Sequence, residues 1–184
     1  MSTTTRPHDD AATLADHKAL AVATFEVMRT GGPADFERII HPDAVNHEAK
    51  DEPPECRGHG PAVFHATKVW LHEAFAELRW EVHEVIAEGD LAVVHCTMSG
   101  RHVRDFVAFR EDGEVADAFP PTGRRFATTQ THWLRIAGGR VVEHWASRDD
   151  MGTAAQLGWV PPSPRYLLRM ARAKRRARKR YRTT

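Results

Sequence analysis

His132, Gln130, Glu143, Trp145 and Asp149 fall in or beside two strand-like runs, 124–136 and 140–148, joined at Ala137-Gly138-Gly139-Arg140. A two-residue Gly138-Gly139 hairpin turn would pair Ala137 with Arg140. Counting outward, Leu134 then faces Glu143, His132 faces Trp145, Gln130 faces Ser147 and Thr128 faces Asp149. Side chains alternate along a strand, so this register gathers all of them on one face. A three-residue turn would instead set His132 opposite His144. The sequence alone does not choose between the two.

These residue types suit one kind of chemistry. A carboxylate in an apolar pocket has its charged form disfavoured, so its pKa rises toward neutrality. It can then take a proton from a carbon acid and return it to an oxygen. An imidazole or amide beside it can hydrogen-bond a carbonyl as negative charge develops there. An indole offers a flat wall to a ring-shaped molecule. The set fits proton abstraction next to a carbonyl, with a carboxylate of this face as the acid/base and His132 and Gln130 as carbonyl contacts. Trp145 is the wall, and Glu143, His47 and His102 are further candidate contacts. Structural readings stand beside each: Asp149 as the N-cap of a helix starting near Asp150, His132 as a satisfied polar core residue, Glu143 on the rim, and Trp145 as core packing.

The elements that must position these residues can be read along the chain. Residues 1–12 read as a disordered leader. Thr13 and Asp16 suggest a helix start, and Leu14, Ala21, Phe25 and Met28 recur at helical spacing up to Gly31-Gly32-Pro33. A short helix over 34–40 and a short strand around Val45-Asn46-His47 follow, then a polar loop over 48–60. Pro61 opens a second helix that runs to about Glu77. Strands 79–87 and 91–99 flank a Glu88-Gly89-Asp90 turn, with Trp80, Val82, Glu84 and Ile86 on one face. The Glu-Asp-Gly within 103–118 suggests a small extra hairpin. Helices first and an antiparallel meander after give an α+β fold with helices packed on one side of a curved sheet.

Composition narrows the classes. The chain of 184 residues suits one domain, expected over 13–164. No apolar run reaches the roughly 20 residues of a membrane helix, and the N-terminus lacks a signal-peptide core, so a cytoplasmic protein is expected. Two cysteines make no disulfide framework. No CxxC or HExxH occurs, so neither a metal site nor a cofactor is expected. Residues 165–184 hold ten Lys or Arg and no acid, while the other 164 residues hold 16 basic against 25 acidic residues, a net charge of −9. This basic tail has Tyr166, Met170, Ala173 and Ala177 at helical spacing. It reads as a solvated tail, as a tether to an anionic surface, or as a strap on its own acidic body. No motif favours nucleic acid.

The chain resembles the SnoaL-like polyketide (ester) cyclases of the nuclear-transport-factor-2-like superfamily. The resemblance spans about residues 13–160. Glu88-Gly89-Asp90 with LAVVHCTMSGRH, Pro121-Thr122-Gly123, Gly139 to Trp145, Asp149 and Gln156-Leu157-Gly158 carry it. It implies a cone-shaped α+β barrel around a deep pocket, a small-molecule substrate and a homodimer that pairs through the outer sheet face; on the two-residue-turn register Trp133, Arg135, Val142 and His144 face outward and would lie in or near that interface. It implies ring closure by an intramolecular aldol step through an Asp general acid/base, matched here to Asp149, with no metal. The same fold hosts hydrolases, dehydratases and non-catalytic binders, so these remain alternatives.

Overall fold

The computed structural model describes residues 11–182. Helix α1 (Ala11–Thr30) and helix α2 (Pro33–Ile39) lead into strand β1 (Ile40–Asn46). Two short 3-10 turns, Ala49–Asp51 and Pro54–Cys56, connect to α3 (Pro61–Ala74). The long strands β2 (Phe75–Glu88) and β3 (Leu91–His102) follow, then the small hairpin β4 (Phe106–Phe109) and β5 (Val115–Phe119). Strands β6 (Arg125–Ala137) and β7 (Arg140–Arg148), α4 (Asp150–Leu157) and α5 (Pro164–Arg180) complete the chain.

The main sheet has the order β1-β7-β6-β3-β2. All neighbours are antiparallel except β1, which runs parallel to β7. The sheet is curved and open, with β1 and β2 as its edges, so the closed barrel implied by the resemblance is not formed. The second helix stops at Ala74, three residues before the expected end, because Phe75 already pairs with His102 as β2 begins. Thr13 lies inside α1 rather than at its start, and the expected leader lies outside the described residues but for its last two. Among the described residues no helix is long and apolar enough to cross a membrane.

Three packed clusters build the interior. Phe25, Phe36, Ile40, Val94, Leu134 and Val141 join the first two helices to the sheet. Phe75, Leu78, Phe126, Leu157, Trp159 and Tyr166 close its other end. Val107, Phe109, Val115 and Ala118 of the small hairpin pack on Ala173 and Ala177 of α5. The basic tail is thus helical and seated on the body, with Arg176 and Lys174 paired to Asp105 and Asp117. Tyr166 Oη and Arg169 donate to the carbonyls of Pro120 and Pro121, which fixes the return from β5.

Bulges decide which side chains face inward. The two-residue turn forms as expected, with Gly138 and Gly139 both at positive φ and Ala137 opposite Arg140. The pairing then slips after Ile136 and Val141, because Val142 is an extra residue in β7. Beyond it Leu134 faces His144, Trp133 faces Trp145, and His132 faces Ala146. This corrects the expected register: His144 turns in and Trp145 turns out. In β2 the pairing slips in the same way between Val82 and Glu84. Trp80, Val82, Val85 and Ala87 pack against the core, while Ile86 is 60% exposed on the outer face.

Candidate active site

A cavity of about 400 Å³ lies between the inner sheet face, α1, α3, α4 and the small hairpin. Its walls are mostly apolar, with Phe25, Phe75, Trp80, Phe106, Phe119 and Trp159 among them. Phe119 stacks on Trp159 at 4.3 Å between centroids, so the small hairpin forms one end of the enclosure. Alternation along β6 brings its polar residues to this space. Thr128, Gln130, His132 and Leu134 are all buried on the inner face.

The polar part of the floor is one hydrogen-bonded chain. Gln130 Oε1 is 3.0 Å from His132 Nε2, and His132 Nδ1 is 2.9 Å from His144 Nε2. His144 Nδ1 is 2.8 Å from Asn46 Oδ1. The parallel pairing of β1 with β7 sets Asn46 beside His144. Burial, then the neighbouring His144 and Arg148, holds His132 well below the usual imidazole range. Burial, then Arg148, pushes His144 down to about 3. Both rings are therefore neutral at physiological pH, with two ring N–H groups between them. Asn46 Oδ1 already accepts the Glu48 N–H, so Gln130 is the end of the chain that can turn to match. Gln130 donates to Met98 Sδ at 3.3 Å, a weak acceptor, and its amide carries two N–H groups. In either orientation one N–H remains for a carbonyl oxygen in the cavity.

A second polar group borders the same space. Arg148 lies 3.9 Å from Glu48 and 3.5 Å from Asp150, and Asp51 borders the same cavity. Glu52 lies deeper and is 2% exposed. Burial pushes its carboxyl up to about 7, against the hydroxyl of Thr67, which pulls it down.

The other residues singled out from the sequence sit elsewhere. Trp145 and Glu143 lie on the outer side of the sheet, where His47 stacks on Trp145 at 4.8 Å and reaches Glu143 at 3.4 Å. The extra residue Val142 puts them there. His102 is fully buried beside Phe75 and Trp159, accepts the Thr122 N–H at 3.3 Å, and does not line the cavity. Asp149 is exposed at the head of α4, where its Oδ1 accepts the Gly152 N–H at 2.7 Å. Its neighbour Asp150, not Asp149, borders the cavity. Asp149→Ala should destabilise the fold by about 1 kcal/mol, the usual cost of losing an N-cap, while Asp149→Asn should not; urea unfolding checks this. Among the described residues no group of three His, Cys, Asp or Glu is placed to hold a metal ion.

Comparison with known proteins agrees with this architecture. The family model of the SnoaL-like polyketide cyclases matches residues 18–157. The chain belongs to this family. It is 34% identical over 140 residues to the aklanonic acid methyl ester cyclase DnrD of Streptomyces peucetius, covering 76% of this chain and 88% of that one. It is 31% identical over 132 residues to the nogalonic acid methyl ester cyclase of Streptomyces nogalater, covering 71% and 89%. Among solved structures, TsrD from Streptomyces laurentii superposes with a TM-score of 0.62 at 24% identity, over 78% of this chain and 96% of that one. An NTF2-like protein from Burkholderia thailandensis E264 does so with 0.52 at 15% identity, over 76% and 95%. These two likenesses concern the fold alone. As a member of this family the chain is an enzyme of the SnoaL-like cyclase type.

Proposed function

We propose that this SnoaL-like cyclase closes a ring in a polyketide-like ester by an intramolecular aldol step using general acid/base catalysis. The supporting observation is the aromatic cavity with a single hydrogen-bonded array, Gln130–His132–His144–Asn46, on its floor. Flat aromatic walls hold a conjugated substrate. A neutral imidazole cannot act as a strong acid, but it orients a donor without adding charge. The Gln130 N–H, set by His132, hydrogen-bonds the carbonyl oxygen as charge builds there in the enolate. A carboxyl group in the same cavity moves the proton, and the step consists of two proton transfers and one C–C bond formation.

Incubation with aklanonic acid methyl ester, the compound in the name of the DnrD relative, tests the reading. Ring closure followed by mass-neutral change in absorbance and retention supports it. Saturable binding without turnover would make the chain a binding protein on this fold. Asp149→Asn separates the two roles of that residue: it should keep turnover if Asp149 only caps α4, and lose it by roughly 10²-fold or more if its carboxyl carries the acid/base step.

The homodimer would use the outer sheet face, where Ile86, Val93, Trp133 and Trp145 form one row across four strands. Apolar and aromatic cross-strand rows favour burial against a second copy. Sedimentation should then show a dimer at micromolar concentration, and a monomer there removes the assignment.

A further inference from the structure

The aldol reading needs a group that removes a proton from a carbon and later delivers one to an oxygen. We propose that Glu52 is that group. The assignment rests on the cyclase reading and adds its proton carrier.

Four observations carry it. Glu52 is 2% exposed yet borders the cavity that Gln130 and His144 also border. Charged side chains are rarely buried without a partner. Among the described residues Glu52 makes no ion pair; its Oε2 accepts the Thr67 hydroxyl, and the Cys56 thiol is its other side-chain hydrogen-bond partner. Arg148, the cation whose charge favours the Glu52 carboxylate, is paired with Glu48 and Asp150 instead. The third observation is how firmly the backbone carrying Glu52 is held. Arg57 donates to the carbonyls of Lys50, Glu52, Arg110 and Glu111, at 3.1, 2.8, 2.7 and 2.7 Å. One guanidinium thus ties the loop carrying Glu52 to the turn of the small hairpin. The fourth is the chemistry of the surroundings. Thr67 of α3, Cys56, Asp51 and Arg148 of β7 face the carboxyl, and burial outweighs the hydrogen bond and the cation. Its proton affinity therefore lies near neutrality, where a carboxyl can work as base and then as acid within one turnover.

The step balances within the site. The Glu52 carboxylate takes a proton from the carbon next to a carbonyl, and the C–H electrons pass to the oxygen as an enolate held by the Gln130 N–H. The enolate carbon attacks a ketone carbon of the same molecule and forms the C–C bond. The ketone π electrons move onto its oxygen, which recovers the proton from the Glu52 carboxylic acid. No proton, electron or leaving group is left over.

Three measurements on the full chain test this with aklanonic acid methyl ester as probe. Glu52→Gln keeps the shape and should lower kcat by at least about 10²-fold while binding, followed by tryptophan quenching, stays within threefold. In the wild type kcat/KM should rise with pH through about 7, as the base form appears. Thr67→Val removes the hydrogen bond that favours the carboxylate, so the same limb should move to higher pH; a purely structural role for Thr67 would leave it in place. Glu52→Gln with turnover within threefold of wild type overturns the proposal and leaves the cyclase reading standing, as does an unmoved limb in Thr67→Val. A wild type that binds the probe and closes no ring removes both.

Discussion

Gln130→Leu is expected to lower kcat for ring closure by about 10²- to 10³-fold, the cost of one lost oxyanion donor. Leucine fills nearly the same space, so KM should change little, and stability should fall only by the one buried partner, His132 Nε2, that it leaves unpaired. His132→Ala should lose a similar part of kcat for a different reason. His132 sits between Gln130 Oε1 and His144 Nε2, and its removal leaves both partners unpaired in a buried place. That adds a destabilisation of about 1–3 kcal/mol for unsatisfied polar groups. Steady-state kinetics together with urea unfolding separates the two variants. Equal melting behaviour for both would mean that His132 does not support the array.

Truncation before Pro164 is expected to lower stability by about 4 kcal/mol and the melting temperature by roughly 10 °C, from the burial of several apolar side chains and the size of the chain. The helix α5 covers Val107, Phe109, Val115 and Ala118 of the small hairpin. Without it these side chains face water, and the return segment loses the contacts of Tyr166 and Arg169. Because Phe106 and Phe119 of that hairpin wall the cavity, the truncated protein should also lose turnover. Binding of anionic vesicles, absent after truncation and present before it at low salt, would assign the outward basic residues of α5 a second task. An unchanged melting temperature would refute the strap.

Much of the fold was legible because it depends on spacing that local rules fix. Gly31-Gly32-Pro33 ends one helix, Glu88-Gly89-Asp90 and Gly138-Gly139 turn two hairpins, and the long strands carry their alternation openly. What the sequence could not show is where alternation breaks. Nothing about Val142 marks it as the extra residue of a bulge, yet it turns His144 inward and Trp145 outward. The candidate site was read on the wrong face of β7 for that reason, while the β6 residues Gln130 and His132 lie on the cavity face. Asn46 was visible only as a neighbour of His47, because its role depends on a parallel pairing between β1 and β7 that is distant in sequence. Glu52 was hidden differently. In Asp51-Glu52-Pro53-Pro54-Glu55 it is one acid among three, and only the packing of α3 over it distinguishes it from the exposed Glu55.

The bulge at Val142 also bears on how cavities of this kind diversify. Substitutions change a pocket one side chain at a time, but a ladder running straight from the turn, with Val142 opposite Arg135, would exchange every inward residue of β7 beyond it for its outward neighbour. His144 and Arg148 would leave the cavity, and Glu143 and Trp145 would enter it. The floor would gain an acid and an indole and lose its second imidazole, with the hairpin turn and the β6 wall untouched. A one-residue slip that draws Val142 into the ladder, with no residue added or removed, is thus a compact route from one set of reacting groups to another on the same scaffold.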